Sequence, residues 1–219
     1  MDYRILLVAP LAALVLSVGA ADLRMPAGWQ SFNNTNDYEI GIDPASEVAG
    51  SPSLTVRSGA PQRTGSLSVG AAHQSATGYA GQRIRFSGQV RADAARGWAG
   101  LYMGAGDLTL LGRMAMARPG AEEQLPRGAA VPAADGAWHE VSVVLDVPAD
   151  AVQVDFGLVQ LGEGQVWARA LSFEVVGAGV APTQTSVGFD LQAARRLLTE
   201  NRAQLAKFPP QPLLNASLD

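Results

Sequence analysis

The chain has 219 residues, 47% of them hydrophobic, with 16 Lys and Arg against 20 Asp and Glu and a net charge of −4. That hydrophobic share belongs to a folded protein rather than a disordered one, and the acid excess, with Lys present only at position 207, lacks the basic footprint by which nucleic-acid binders displace phosphate counterions. There is no Cys, which excludes thiol nucleophiles, disulfides and zinc–thiolate centres.

The first element in chain order is the apolar run from Ile5 to Val18, preceded by Arg4 and followed by small residues. Val18-Gly19-Ala20 and Gly19-Ala20-Ala21 both offer small-residue cleavage sites. The run is about 14 residues long, short of the roughly 20 that a helix needs to cross a bilayer, and Pro10 weakens it further as a helix. These features predict a signal peptide over residues 1–20, with an uncleaved anchor as the alternative. The protein is then exported, periplasmic or secreted, and touches a membrane only through this segment before cleavage. Residues 21–27 lead into the body of the chain.

From Tyr38 onward, apolar and polar residues alternate between turn residues, the period of half-buried strands. In Arg83 to Arg91, Ile84, Phe86, Gly88 and Val90 share one face and Arg83, Arg85, Ser87, Gln89 and Arg91 the other. Leu67 to Ala71, Val141 to Val147 and Val152 to Leu158 alternate in the same way. Glu39–Asp43, Leu54–Arg57, Ala99–Met103, Leu108–Met116 and Val166–Val176 complete a set of about nine strands. With no helices between them, these strands predict an all-β domain over residues 28–176, an antiparallel sandwich or jelly roll, with a closed barrel as the alternative. Pro119 to Ala134 has no period and reads as a surface loop. Residues 177–189 read as a linker, residues 190–207 as an amphipathic C-terminal helix carrying Leu191, Ala194, Leu198 and Leu205 on one side, and residues 208–219 as a loose tail.

Several segments taken in order resemble a known module: Gly28-Trp29, Tyr38 to Asp43, Tyr79 to Arg85, Gly97 to Met103, Val144 to Pro148, and Gly162 to Trp167 leading into Phe173 to Val176. They are similar to an uncharacterised bacterial jelly-roll-like domain that occurs alone in exported proteins or beside helix-turn-helix segments in predicted regulators, and that shares its layout with carbohydrate-binding jelly rolls. The resemblance implies a sandwich fold and is weak for function. Two stretches depart from the module's pattern. Ala168-Arg169-Ala170 follow Trp167 where the module carries Asp, and Met114 to Ala117 replace polar residues before Arg118-Pro119. A single helical segment after the sandwich does not make a two-helix DNA reader.

Catalytic patterns are sparse. His73 and His139 lack HExxH or His-x-His spacing, so no metal site and no cofactor is expected. Ser66 to Gly70 lacks the first Gly of a nucleophile elbow. Asp37, Glu39, Asp43 and Glu163 are candidates by type for a carboxylate pair acting on a glycosidic bond. The larger group is aromatic, because sugar faces stack on exposed rings while nearby polar groups bond the hydroxyls. Trp29, Tyr38, Trp98 and Tyr102, with Arg118, are the candidate ligand-binding residues, and Trp138 and Trp167 belong to the same class. Trp98 and Tyr102 share one strand face across Gly100, an arrangement that suits a sugar platform or a core stripe. The reading is an exported, non-catalytic sandwich that binds a glycan or a cell-envelope component. The alternatives are a structural or protein-interaction module of the envelope, partnered by an envelope protein, and a glycan-acting hydrolase.

Overall fold

A computed structural model describes residues 23–33, 37–48, 51–59, 68–106, 127–131, 135–184 and 187. Eight strands run through them: β1 (Gln30–Asn33), β2 (Tyr38–Val48), β3 (Ser51–Ser58), β4 (Val69–Ala76), β5 (Arg83–Gly106), β6 (Arg127–Ala130), β7 (His139–Asp146) and β8 (Gln153–Val175). Every pairing is antiparallel.

The frame is a ribbon of the two long strands. β5 and β8 pair almost end to end, from Ile84 opposite Val175 to Gly106 opposite Gln153. The register shifts between Asp93 and Arg96, next to Gly97 (φ 128°) and opposite Gly162 (φ 82°) and Gly164 (φ 119°). This bulge divides the ribbon in two. One half is flanked by β6 on the β5 side and by β4 then β1 on the β8 side; we term it the first layer. The other half is flanked by β7 on the β5 side and by β3 then β2 on the β8 side, and forms the second layer.

The halves lie face to face. Phe156 and Phe173 stand 17 positions apart on β8, a separation of about 56 Å in an extended strand at roughly 3.3 Å per residue. Their ring centroids are 4.3 Å apart, and Phe86 of the second layer lies 4.9 Å from Phe156 of the first. The ribbon is therefore folded over on itself, and the core fills the fold: Leu54, Val56, Ile84, Phe86 and Val90 from one side meet Ala72, Leu101, Met103, Phe156 and Leu158 from the other. On β5 the inward residues are even-numbered up to Ala92 and odd-numbered from Ala99. The bulge exchanges the parity, so each half keeps its apolar side inward. Among the described residues no pairing joins the facing edge strands, β6 to β7 or β1 to β2, so the strands form an open sandwich and not a closed barrel.

The all-β sandwich agrees with the sequence reading, and the strand divisions differ from it. Arg83–Arg91 and Ala99–Met103 are parts of one strand, as are Val152–Leu158 and Val166–Val176. The Gly-rich stretches between them look like turns in sequence, yet they bend the ribbon without releasing its pairing. Arg127–Ala130, within the stretch read as a loop, is a strand paired with β5, a correction that follows from the free edge β5 offers there. The predicted strand Leu108–Met116, the C-terminal helix and the signal segment lie outside the described residues. Beyond β8 the chain stays against the sandwich: Arg83 Nη1 donates to the carbonyls of Ala178 and Val180 (both 2.7 Å). Thr183 N donates to Val144 O (2.9 Å), and Thr183 Oγ1 accepts from Val144 N (2.9 Å).

Candidate ligand-binding face

Alternation on the second layer sends Arg91 and Gln89 of β5, Trp167 and Arg169 of β8, Thr55 of β3 and Asp43 of β2 to the side away from the core. Register then sets them in rows. Trp167 stands opposite Arg91 on one side and Thr55 on the other, and Gln89 stands opposite Arg169 and Glu140. Trp138, just before β7, lies beside them. The guanidinium of Arg91 sits 4.0 Å from the Trp167 ring centroid and 5.3 Å from that of Trp138, and the guanidinium of Arg169 sits 4.0 Å from Trp138. Rings and guanidiniums thus alternate across three strands, each cation held against a π face.

Hydrogen bonds fix the ladder. Trp167 Nε1 donates to Asp43 Oδ2 (2.8 Å), Arg169 Nε to Gln89 Oε1 (2.9 Å), and Gln89 Nε2 to Glu140 Oε1 (2.9 Å). Trp167 is buried, at 7% exposure, whereas Trp138, Arg91 and Arg169 are half-buried and Glu140 is exposed. The face therefore combines a locked inner ring, a half-buried outer ring and polar groups already oriented.

The residues singled out in sequence are dispersed. Trp29 is in the core, edge-on to Phe156 at 6.2 Å. Tyr38 is buried and donates to Gly162 O (2.8 Å). Trp98 and Tyr102 do share a face, the outward side of the first layer, where Tyr102 is 1% exposed and Trp98 half-buried. Val69, Ala71, Val159 and Leu161 on that side are buried as well. Arg118 lies outside the described residues. Trp138 and Trp167 were among the aromatics of the sequence, but their cross-strand meeting with Arg91 and Arg169 depends on register, which alternation does not encode.

A second polar cluster lies on the outward side of the first layer. Asp155, 1% exposed, accepts from Tyr102 OH at Oδ2 (3.2 Å) and from Ser75 Oγ at Oδ1 (3.2 Å), with His73 Nδ1 3.1 Å from Oδ1. Ser75 thus bonds the carboxylate rather than the imidazole, which is not a nucleophile–base pairing. Burial first, and then the charge and hydrogen bond of Asp155, push the Tyr102 hydroxyl well above its ordinary value. A cleft of about 260 Å³ lies where Arg127, Leu145, Asp146 and Pro148 meet Pro182 to Gln184. Its Asp146 is held below the ordinary carboxyl range by hydrogen bonds from Arg83 Nε (2.6 Å) and Nη2 (2.8 Å), and then by that residue's charge. Glu39 is paired with Arg57 across β2 and β3. Among the described residues no three His, Asp or Glu side chains group to hold a metal ion, and no helix is long and apolar enough to cross a membrane.

No family model matches the chain. A curated relative, an uncharacterized HTH-type transcriptional regulator YbfP of Bacillus subtilis (strain 168), is 27% identical over 171 residues, 75% of this chain and 53% of the relative. The chain thus spans about half the length of that protein. Solved structures it is similar to include the enzymatically active domain of bacteriophage CBA120 tailspike protein 4 (13% identity, 68% of this chain and 20% of that one, TM-score 0.45). Others are the CBM22-1 xylan-binding domain of Paenibacillus barcinonensis Xyn10C (13% identity, 72% and 91%, TM-score 0.44) and the C-terminal family 22 carbohydrate binding module of Clostridium thermocellum Xyn10B (15% identity, 70% and 90%, TM-score 0.45). Each TM-score is below 0.5, so the fold rests on the strand pairing above.

Proposed function

We propose that the protein is an exported, non-catalytic sandwich that binds a glycan on the outward face of the second layer. The observation that carries this reading is the ladder of Trp138, Arg91, Trp167 and Arg169 across β7, β5 and β8. A pyranose presents a C–H face that packs on an indole and a rim of hydroxyls that need partners. Trp138 supplies a half-buried ring, and Arg91, Arg169, Gln89 and Glu140 supply donors and acceptors held in place by packing and hydrogen bonds. Preorganisation of this kind lowers the ordering cost of binding. Export belongs to the same proposal and is supported by the apolar run Ile5 to Val18 and the small-residue cleavage sites after it.

The test is a glycan array probed with the full chain and with Trp138→Ala. We expect the wild type to bind at least one glycan class and the variant to lose about tenfold or more in affinity, the scale of about 1.4 kcal/mol set by one stacking ring. Trp138 lies outside the core cluster, so the variant keeps its fold. A wild type that binds nothing, or a Trp138→Ala variant that binds as well as the wild type, overturns the assignment of this face.

A further inference from the structure

We propose that the glycan bound here is acidic, with Arg91 and Arg169 together taking a sugar carboxylate; this inference rests on the glycan-binding reading of the same face. Three other arginines of the sandwich are matched to carboxylates on neighbouring strands: Arg57 to Glu39, Arg83 to Asp146 and Arg85 to Glu174. Arg91 and Arg169 have no such partner among the described residues. Arg169 spends Nε on the neutral amide oxygen of Gln89, and the buried Nε of Arg91 has no hydrogen-bond partner.

None of the nearby acids forms an ion pair with them. Asp43 is committed to Trp167 Nε1 (2.8 Å) and to the backbone N–H of Ala45 (2.9 Å). Glu140 accepts from Gln89, and the exposed Asp93, two positions beyond Arg91, pairs with neither cation. What remains is two half-buried guanidiniums that face indole rings, with Nε of one bonded to Gln89 and Nε of the other buried, and whose terminal Nη groups form no ion pair among the described residues. A guanidinium edge is a planar fork of N–H donors, and its complement is a carboxylate. Both cations lie within 5.3 Å of the Trp138 ring centroid. A uronic acid residue packed on that ring brings its carboxylate, one bond beyond the pyranose, to the two forks. Stacking would then be shared by neutral and acidic sugars, and the arginines would set the difference between them.

The experiment measures binding of the full chain to a panel of uronate-containing oligosaccharides, each beside its carboxyl-reduced neutral counterpart, for wild type, Arg169→Gln and Arg169→Lys. We expect at least one acidic member to bind about tenfold or more tighter than its neutral twin, with a preference that shrinks as salt is raised. Arg169→Gln should weaken the acidic member far more than its neutral twin, which removes most of the preference. Arg169→Lys should keep part of it, because the charge stays and the fork is lost. Circular dichroism identical to wild type shows that the variants fold. Equal binding of acidic and neutral twins overturns the inference and leaves the glycan reading standing. An acid preference that Arg169→Gln retains overturns the role given to the arginines, and a panel with no binding at all overturns both.

Discussion

Tyr102 shows how a residue can be placed correctly by alternation and still be misread in role. Its parity puts it on the same face as Trp98, as it stands in the structure. What parity does not state is whether that face meets solvent, and here Tyr102 is 1% exposed with its hydroxyl on Asp155. A buried phenol beside a buried carboxylate has a titration consequence. Its folded pKa is raised above the ordinary 10.0, so below that value both folded and unfolded chains hold the proton and the contribution to stability is complete. As pH climbs past it, the unfolded chain ionises while the folded one does not, and stability falls. Urea midpoints followed from about pH 9 to about pH 11 should therefore drop more steeply for wild type than for Tyr102→Phe, which has no proton to lose at this site. At neutral pH the same variant should cost about 1–2 kcal/mol, because Asp155 loses a donor while staying buried. Equal slopes for the two proteins would show that the Tyr102 hydroxyl is not held in the protonated form by the fold. The ladder on the other face is the converse case. Trp138, Trp167, Arg91 and Arg169 are each visible in sequence as a residue type, but no single strand holds the pattern. The ladder comes from pairing residues 76 positions apart, as in Arg91 opposite Trp167, and long-range register is not written in local periodicity.

At the scale of elements, the sequence pattern located six of the eight described strands and missed the four-residue strands β1 and β6, and glycines mark the main bend of the ribbon. The error was to treat a bend as an end. Gly97, Gly162 and Gly164 have positive φ, as turn glycines do, but the strands on either side remain paired to the same partner. A Cβ at Gly97 would overlap the carbonyl oxygen of Leu161, so the glycine is there to let two backbones cross closely as the ribbon folds. A second irregularity was silent in sequence because the bulged strand itself, β8, has no glycine at the point where an extra residue is inserted. Between Ser87 and Gln89 the register slips, and Ala170 opposite takes φ 50°, a left-handed conformation that costs an L residue about 1–2 kcal/mol. Gly88 faces this bulge, where a Cβ would lie 2.6 Å from Leu171 Cδ2, so the kink seats Leu171 in the core. Replacing Ala170 by Gly removes the left-handed penalty and gives back about 0.5–1 kcal/mol in unfolded-state entropy. The net is a gain of up to about 1 kcal/mol, or roughly 2–4 °C in melting temperature for a domain of this size. Differential scanning calorimetry on Ala170→Gly checks it, and a lower melting temperature would mean that the bulge carries no strain.

The whole molecule follows from one ribbon serving two layers. β5 and β8 each contribute a segment to both, so neither layer has a private set of central strands, and the inward faces of the two halves meet at Phe86, Phe156 and Phe173. Phe156 is the centre of this contact: it is fully buried and also touches Trp29 before β1. Truncation to Ala removes ring packing from both sides of the core and leaves a cavity, at a cost of about 3–5 kcal/mol. The distribution of that loss is the informative part. If the layers were separate units, opening would be confined to β4 and β1, which flank the first-layer half of β8 where Phe156 sits, and β3 and β2 would keep their protection. Because the same backbone continues through the bulge at Gly162 to Gly164 into the second layer, loosening one half frees the face on which the other packs. Amide hydrogen exchange on Phe156→Ala should then show protection falling by a similar free energy in β4 and in β3, two strands that flank β8 in different layers and pair with each other nowhere. Loss confined to β4 and β1 would show that the layers hold separately. A fall shared by both would place the outward Trp–Arg face on a scaffold as stable as the whole domain.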